Sequence, residues 1–367
     1  MSTRVKRSGA KRAKPVFVGI DLHGHNNMVV VREAGGPVVL ADRFANEVEL
    51  ILAALQPFRD RVRGVAVEST FNTYWLVDGL EDAGYEVHLA HPPDLTDHRK
   101  RLKYADDKVD ARLLAELLEE GRLPEGYIYP RAMRGVRDLY RRRMLLVQEQ
   151  TTLLVSLHSL ILRHEGTAPP PSRLKAMPGE EAIALVKDAA VQAQVRALKS
   201  VLASLHKAIR DLERVAMATL TPDALYHRIE SVPGIGKILA AVIRLETGAL
   251  DRFASVGDFI SYCRLAPSVH LSNGVRKGEG QPKRGNRYLA WAFIEAANFA
   301  RRYSDEAKAY YTRKRKKRGV AAATKALAAK LARCVYAMWT GGHDFDARRA
   351  FGPSAGAGEK VSVGVAA

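Results

Sequence analysis

The sequence predicts a chain of three folded parts: an α/β domain at residues 15–130, a helical coiled-coil region at 131–222 and a mainly α domain at 223–345. In the first part, short apolar runs bounded by turn residues alternate with helical segments. From residue 133 to about 220 the chain becomes rich in Leu and Arg with helical spacing. The basic segment 1–14 and the Gly-, Ala- and Ser-rich segment 346–367 are expected to be disordered.

The elements of the α/β domain follow from its apolar periodicity. Three strands are predicted first, at 16–22, 27–32 and 38–44, and their close succession indicates an antiparallel meander. A helix at 47–55, a strand at 64–68, a helix at 73–83, a strand at 85–90 and an amphipathic helix at 106–119 follow. This β-β-β-α-β-α-β-α order is that of an RNase H-like domain, a mixed sheet flanked by helices.

The helical middle carries a heptad pattern. Its apolar residues follow a 4-3-4-3 spacing: Val191, Val195, Leu198, Leu202, Leu205, Ile209 and Leu212. An earlier helix at 136–163 carries Leu146, Leu153, Leu157 and Leu160. The two helices can pair within one chain, as an antiparallel hairpin across the proline-containing link at 165–180, or act as a dimerisation arm. A heptad indicates helix association without naming the partner, so both interpretations stay open.

Composition favours a polyanionic partner. The chain of 367 residues has 58 Lys and Arg against 40 Asp and Glu, a formal net charge of +18. Such an excess favours phosphate contacts, with solvated surface charge as the alternative. Cys263 and Cys334 form no CxxC pair, which argues against a zinc ribbon or a disulfide framework and fits a reducing cytoplasm. Neither a secretory signal nor an uninterrupted apolar run of transmembrane length is expected.

Four acidic residues are the candidate catalytic and metal-binding set. Asp21 and Glu68 each come at the end of a predicted buried strand. Asp107 and Asp110 are three residues apart on a predicted helix and therefore share a face. Hard divalent ions such as Mg²⁺ prefer carboxylate oxygens, and two of them can cleave a phosphodiester. Singly, each acid could instead be a helix cap or a solvated side chain.

Three short blocks carry a family resemblance. Residues 16–23 (VFVGIDLH), 65–70 (VAVEST) and 107–111 (DKVDA) resemble the acidic blocks of the DEDD transposases of the insertion-sequence one-ten family, which includes the Piv-type invertases. Their first domain is similar to the RuvC resolvase. Where many relatives carry Lys-Thr before the first Asp of D-x-x-D, this chain has Ala105-Asp106. Asp106 and Asp107 are therefore alternatives as the ligand, and the spacing to Asp110 favours Asp107.

A glycine turn in the C-terminal domain predicts a helix-hairpin-helix. Residues 230–243 read ESVPGIGKILAAVI, with Gly234 and Gly236 between two helical segments. These glycines let backbone amides approach a phosphate at a helix N-terminus, and Lys237 adds charge. A tight interhelical turn without a phosphate role is the alternative.

A serine-containing segment follows at 265–289. Read from the residues alone, Asn273-Gly274 predicts a type I′ hairpin turn and Ser272 is a loop residue. The basic residues nearby, either solvated or in contact with phosphate, are Arg276, Lys277, Lys283, Arg284 and Arg287. The resemblance extends to a family block like APxxHSSG…KRGN, in which the second serine is the nucleophile. That serine aligns with Ser272, while Leu271 and Asn273 replace the family's first serine and first glycine.

The resemblance implies a DNA transposase or site-specific recombinase. It implies two Mg²⁺ ions on the four acids (Mn²⁺ is possible), a phosphoserine intermediate, a composite site in a dimer of dimers, and guidance by a structured RNA. Double-stranded DNA, a guide RNA and further copies of the chain are the expected partners, in the bacterial-type cytoplasm at the nucleoid and without a membrane. The alternatives are a hydrolytic junction-resolving nuclease that uses only the acids, and a non-catalytic DNA-bridging protein.

Overall fold

The computed structural model describes residues 13–99, 106–266, 271–272, 275–276 and 285–352. The chain divides into two compact units, Met1–Arg131 and Ala132–Ala367. Most of the predicted disordered segments 1–14 and 346–367 lies outside the described residues. Within the first of them, the Lys14 carbonyl accepts a hydrogen bond from Arg61 Nε at 2.7 Å.

The first unit contains a mixed five-stranded sheet with order β3-β2-β1-β4-β5. β1 is antiparallel to β2 and parallel to β4, and β5 is parallel to β4. The strands are β1 Val16–Leu22, β2 Asn26–Glu33, β3 Val38–Ala45, β4 Val62–Glu68 and β5 Val87–Ala90. The helices are α1 Val48–Leu55, α2 Tyr74–Asp82, α3 Pro92–Arg99 and α4 Asp107–Glu119, with a 3₁₀ turn at Gln56–Arg61. This architecture is consistent with the predicted RNase H-like domain.

Helix α3 was not predicted from the sequence. It begins with Pro92 and Pro93. Proline has no backbone N–H, and it is tolerated in a first helical turn because an N–H at that position would have no intrahelical acceptor. The segment has no apolar stripe, so its periodicity gives no helical signal.

Two apolar layers enclose the sheet because strand side chains alternate between its faces. On one face Ile20, Val29 and Val67 pack with Leu55 and Leu80 of α1 and α2. On the other face the smaller Ala66 and Ala90 pack with α4 and its neighbours, including Leu114 and Leu117. Helix α4 therefore lies directly on the sheet with its Ala- and Leu-rich side.

The second unit is mainly helical, with one short β-hairpin. Its elements are α5 Arg131–Glu165, α6 Pro171–Ala176, α7 Gly179–Ile183, α8 Ala189–Leu220, α9 Ala224–Glu230, α10 Lys237–Thr247, α11 Val256–Tyr262, β6 Leu271–Ser272, β7 Val275–Arg276, α12 Arg287–Tyr303, α13 Asp305–Gly341 and α14 Ala347–Phe351. The helical content of this part of the chain is confirmed.

Helices α5 and α8 form an antiparallel pair. The C-terminal part of α5 shares a buried cluster with the beginning of α8, through Leu157 and Val195 among others. At the other end, Tyr140 of α5 lies in a cluster with Ala216 and Leu220 of α8. Arg143 Nε also contacts Glu213 Oε1 at 2.8 Å. The structure thus shows the intramolecular hairpin, while the dimerisation arm remains a prediction.

One described helix, α5, is long and apolar enough to cross a membrane by length and composition. An 18-residue window within it has a mean hydropathy of 1.3. The apolar part of this helix includes Gln148, Glu149 and Gln150, so it is not the uninterrupted apolar run that the sequence analysis excluded. Leu154, Leu157 and Ile161 of this helix pack with residues of α6–α8, as the helical hairpin requires.

The C-terminal helices α9–α13 surround one core, which includes Phe259, Phe293 and Leu327. The alanine-rich stretch 320–339 is part of α13, which kinks at Gly319, where φ is 81°. The expectation that disorder begins at residue 346 is wrong for its first residues. Asp346 caps α14 through its side chain, and Ala350 of that helix is buried.

Candidate metal centre and the serine-containing segment

Asp21 and Glu68 lie side by side at the carboxyl ends of two parallel strands. The register of β1 and β4 pairs Ile20 with Val67, so the next residue on each strand is one of the two acids. Both side chains are buried: Asp21 is 5% exposed and Glu68 is 7% exposed. The two carboxyl groups are hydrogen-bonded to each other. The parallel pairing of β1 and β4 therefore brings the first two predicted acids together.

Helix α4 brings Asp107 and Asp110 to the same edge because Gly19 has no side chain. A Cβ at Gly19 would lie 1.9 Å from the Ala111 carbonyl oxygen and 2.8 Å from the Ala115 nitrogen. Only a glycine permits this approach of helix to strand. Gly19 stands two residues before Asp21, and Ala111 stands one residue after Asp110. The close contact consequently fixes the first turns of α4 over the end of β1.

The electrostatics of Asp21 reflect its neighbours. Burial, together with the negative charges of Glu68 and Asp110, raises the pKa of Asp21 to about 7, against a lowering by His23. Buried carboxyl groups that repel one another retain a proton unless a cation lies among them. Without a cation, Asp21 therefore retains its proton up to about neutral pH.

His23 is a member of the site that sequence reasoning did not select. Its Nε2 lies 3.2 Å from Asp21 Oδ2 and 3.3 Å from Asp107 Oδ1. Ligand atoms of Asp21, His23 and Asp107 all lie within 4.8 Å of one another. The available signal was its position two residues after Asp21, because residues i and i+2 of an extended chain face the same side.

Arg43 of β3 is a second member that the sequence did not reveal. Its Nη2 donates to Asp107 Oδ2 at 2.6 Å, and this hydrogen bond is the main cause of the lowered pKa of Asp107. Asp106, in contrast, is exposed at the N-cap of α4 and makes no side-chain capping bond. The structure thus places Asp107, rather than Asp106, beside Asp21 and His23.

Three asparagines support the loop that carries His23. Asn46 Nδ2 donates to the carbonyls of His23 and Gly24, at 3.1 and 3.0 Å. Asn72 Nδ2 donates to the His23 carbonyl at 3.2 Å. Asn27, fully buried, donates to Asn46 Oδ1 at 3.1 Å. These bonds hold the loop from both the β3 and the β4 sides, so His23 has a defined position.

The donor set fits a hard divalent cation. Four carboxylates with one imidazole suit Mg²⁺ or Mn²⁺ and lack the thiolates that select softer metals. A cation would also relieve the repulsion that raises the pKa of Asp21. The burial of Asp21 and Glu68 supports the same interpretation, since two neighbouring negative charges inside a protein require a compensating positive charge.

The predicted helix-hairpin-helix glycines have different surroundings. Gly234 has a φ of +84°, and a Cβ there would lie 2.3 Å from the Ala296 carbonyl oxygen of α12. Its lack of a side chain therefore serves helix packing, which weakens the prediction of a phosphate approach at this glycine. Gly236, at the N-cap of α10, and Lys237 are both exposed, and no atom would contact a Cβ at Gly236.

Ser272 lies on a two-stranded hairpin. It pairs with Val275, and Leu271 pairs with Arg276. This antiparallel register agrees with the hairpin that Asn273-Gly274 predicts, while the type I′ turn stays a prediction. Three of the predicted contact residues, Lys277, Lys283 and Arg284, lie outside the described residues, as does the connection itself. Arg287 is described at the start of α12 and is exposed.

The described residues on either side of 267–284 are held by hydrogen bonds, from α13 on one side and to the end of α11 on the other. Lys325 Nζ donates to the Ala266 carbonyl at 3.1 Å, on the N-terminal side. On the C-terminal side, Arg264 Nε donates to the Gly285 carbonyl at 2.9 Å. The backbone N–H of Asn286 donates to the Tyr262 carbonyl at 2.6 Å. The serine-bearing segment therefore leaves and re-enters the folded domain at one place.

Gly285 and Asn286, the last two residues of the KRGN block, have architectural roles. Gly285 has a φ of +97°, and a Cβ there would lie 2.5 Å from the Tyr262 carbonyl oxygen. Asn286 Oδ1 caps α12 by accepting from two backbone N–H groups of its first turn. Its Nδ2 donates to buried Glu246 Oε2 at 2.7 Å. Arg141 completes the network with hydrogen bonds of 2.7 and 2.8 Å to the Glu246 carboxylate.

Comparison with known proteins bears on both parts of this geometry. A model for the DEDD transposases of IS110, described as Transposase, matches residues 18–164. A model described as Transposase IS116/IS110/IS902 family matches residues 226–312. The chain belongs to the IS110 family of DEDD transposases. This IS110-family transposase is thus an enzyme of DNA transposition that binds DNA, and its acidic cluster fits a divalent metal site.

Several relatives align over most of the IS110-family transposase. A probable family 20 transposase of Pseudomonas aeruginosa is 27% identical over 80% of this chain and 83% of its own length. The transposase for insertion sequence element IS1328 of Yersinia enterocolitica is 24% identical over 77% of this chain and 82% of its own length. An IS116 protein of Streptomyces clavuligerus is 34% identical over 38% of this chain and 33% of its own length.

Proposed function

We propose that this transposase cleaves and rejoins DNA strands at a Mg²⁺-dependent site formed by Asp21, Glu68, Asp107 and Asp110. The observation that carries the proposal is the convergence of two strand-end acids with the first turn of α4. Asp21 and Glu68 are neighbours on parallel strands, and the glycine contact beneath α4 sets the other two acids over them. This arrangement concentrates negative charge in a partly buried place, where a divalent cation is the simplest counterion.

Each member has a role that follows from its contacts. Asp21 and Glu68, both buried, provide the inner ligands, and Asp107 and Asp110 provide ligands from the helix. Arg43 keeps Asp107 ionised through its hydrogen bond. His23, between Asp21 and Asp107, orients both carboxylates. When bound, divalent ions neutralise charge on the attacking and leaving oxygens of a phosphodiester and help to activate the nucleophile.

Ser272 is proposed as the nucleophile, on the basis of the family block in which it stands. Its hydroxyl loses a proton as Oγ bonds to phosphorus, and the bond from phosphorus to the leaving strand-end oxygen breaks as that oxygen takes up a proton. A freed hydroxyl of the new partner strand then attacks the phosphoserine, which restores the serine. Because the phosphoserine ester conserves the energy of the broken phosphodiester bond, rejoining needs no ATP.

Assembly and targeting complete the proposal. Ser272 of one protomer would meet the acids of another in a dimer of dimers, and a structured RNA would pair with donor and target DNA. The net charge of +18 supports contact with both nucleic acids. A hydrolytic nuclease remains the second candidate, because the acid cluster alone provides what metal-dependent hydrolysis requires.

The deciding experiment is a search for a covalent protein–DNA adduct. Purified transposase, Mg²⁺, DNA with the element's own ends and its flanking non-coding RNA are incubated and run on denaturing gels with and without protease. We expect a protease-sensitive adduct that Ser272→Ala and Asp107→Ala abolish. Ser204→Ala, on the exposed side of α8, and Asp106→Ala, next to the ligand, are the matched controls and should retain it. Metal-dependent cutting without an adduct, unchanged by Ser272→Ala, would establish the hydrolase instead.

A further inference from the structure

A cavity of about 510 Å³ lies between α5 and the first turns of α12. This volume is within the range of roughly 300–1,000 Å³ that is typical of small-molecule sites. It is lined by charged, apolar and aromatic side chains: Asp138, Arg141, Arg142, Met144, Leu145, Gln148, Arg287, Tyr288 and Trp291. None of these residues belongs to the metal centre described above.

The charge of this cavity is positive. Arg141 is neutralised by its bidentate contact with Glu246, and Asp138 lies 3.6 Å from Arg137. Arg142 and Arg287 are exposed and, among the described residues, neither has a carboxylate at ion-pair distance. Two guanidinium groups are therefore available to an anion. The amides at the start of α12 are not, because Asn286 already caps them.

The cavity also has an aromatic wall. The guanidinium groups of Arg141 and Arg287 lie 4.8 and 5.0 Å from the ring centroid of Tyr288, which is therefore already partnered. Arg287 Nη2 also donates to the Tyr288 hydroxyl at 3.1 Å. The neighbouring Trp291 is half-buried, packs against the domain core and lines the cavity. An indole of this kind is a stacking surface for a planar ligand.

We propose that this cavity binds one nucleotide of a single-stranded nucleic acid, with the base on Trp291 and the phosphate on Arg142 and Arg287. Guanidinium groups without a carboxylate partner can bind the phosphate of a nucleotide, and the neighbouring indole can stack on its base. A ligand with only one of these groups would use only one of the two features. Gln148 adds an amide that can both donate to and accept from a base edge. The site adjoins Asn286, where the serine-bearing segment re-enters the domain, so a nucleotide held here lies next to that anchorage.

This inference rests on the family's action on DNA, and it requires neither Ser272 nor the acids. The chain has three tryptophans, Trp75, Trp291 and Trp339. A variant with Trp75→Phe and Trp339→Phe reports on Trp291 alone. We expect short oligothymidylate or oligouridylate, of about eight nucleotides, to quench its fluorescence in a saturable and salt-sensitive way. The DNA and RNA arms identify which strand supplies the nucleotide.

The control for the probe is the variant that keeps Trp339 instead. Arg244 lies 5.2 Å from the centroid of the Trp339 ring, so this indole already has a cationic partner, and we expect no quenching. Trp291→Leu should weaken binding of a labelled oligonucleotide by roughly tenfold or more, whereas Trp291→Phe should retain most of it. Thermal unfolding of both variants separates lost stacking from lost folding.

Matched arginine variants test the phosphate contact. Arg287→Ala, at the beginning of α12, should lower the slope of log binding constant against log salt concentration by about 1, the value for one phosphate contact. Arg302→Ala, exposed at the other end of the same helix, should leave this slope unchanged. No quenching of Trp291 by either oligonucleotide, or equal quenching by polyglutamate, would overturn the proposal. Ser272→Ala should bind like the natural chain. A natural chain that forms no adduct but shows intact quenching would therefore count only against the serine mechanism.

Discussion

At the scale of single residues, Asp21 is where the candidate site can be measured most directly. Its side chain is buried, forms a hydrogen bond with Glu68 and is repelled by the negative charge of Asp110. In the unfolded chain the same carboxyl group has a pKa of about 3.8 and in the folded chain about 7. The folded protein therefore holds a proton between these values that the unfolded protein releases, so that without metal its stability falls as the pH rises through this interval.

Asp21→Asn removes this ionisation. In EDTA we expect the variant to unfold at a higher temperature than the natural chain at pH 8, and to lose the fall in stability between pH 4 and pH 7. Added Mg²⁺ should stabilise the natural chain at pH 8 and have little effect on the variant, which lacks a ligand. Thermal unfolding at several pH values, with EDTA or Mg²⁺, measures both effects. Equal stabilisation of both proteins by Mg²⁺ would place the ion elsewhere.

At the scale of elements, the contact of α4 with β1 determines whether the acids meet. Gly19→Ala would place a methyl group against the Ala111 carbonyl and move the helix. We expect it to cost about 3 kcal/mol of stability, by overpacking, and to lower Mn²⁺ affinity in whatever protein remains folded. Gly24→Ala is the matched control, because nothing lies near a Cβ there, and it should change stability by less than about 0.5 kcal/mol. Urea unfolding with Mn²⁺ titration provides both values, and equal effects of the two substitutions would refute the packing explanation.

Much of this element-level order was predictable from sequence. The runs that became β1, β2 and β3 alternate or stay apolar, because one or both sides of each strand face a core. Asp21 and Glu68 could be selected because each ends a predicted buried strand, whereas the parallel pairing that joins them is seen only in the fold. His23 and Arg43 could not be selected, since exposed side chains carry no periodicity and their pairing with Asp107 joins separate elements. The same applies to Glu246, whose partners Arg141 and Asn286 are brought together only by the fold.

At the scale of the whole molecule, the helical hairpin combines an inner and an outer apolar surface. Val195 of α8 is fully buried against α5 and its neighbours, whereas Val201 and Val215 of the same helix are 48% and 56% exposed. The buried residue stabilises the single chain. The exposed ones are the surface with which the proposed oligomer can be tested.

We expect Val201→Glu with Val215→Glu to lower the molar mass measured by light scattering while leaving the unfolding temperature nearly unchanged. Val195→Glu should instead destabilise the chain, because it buries a charge without a partner. An oligomer that survives the double substitution would exclude this face of α8 as the contact between copies.

The described residues on either side of 267–284 are both held to the folded domain, Ala266 by Lys325 of α13 and Gly285 by Arg264. New termini opened inside that stretch would therefore leave α10 and α12 joined through their core. Two fragments, divided after residue 274, should reassemble when mixed, and the piece ending there would carry Ser272. Adding one fragment to the other would then start the proposed strand-transfer reaction, so that the moment at which the reaction begins could be chosen.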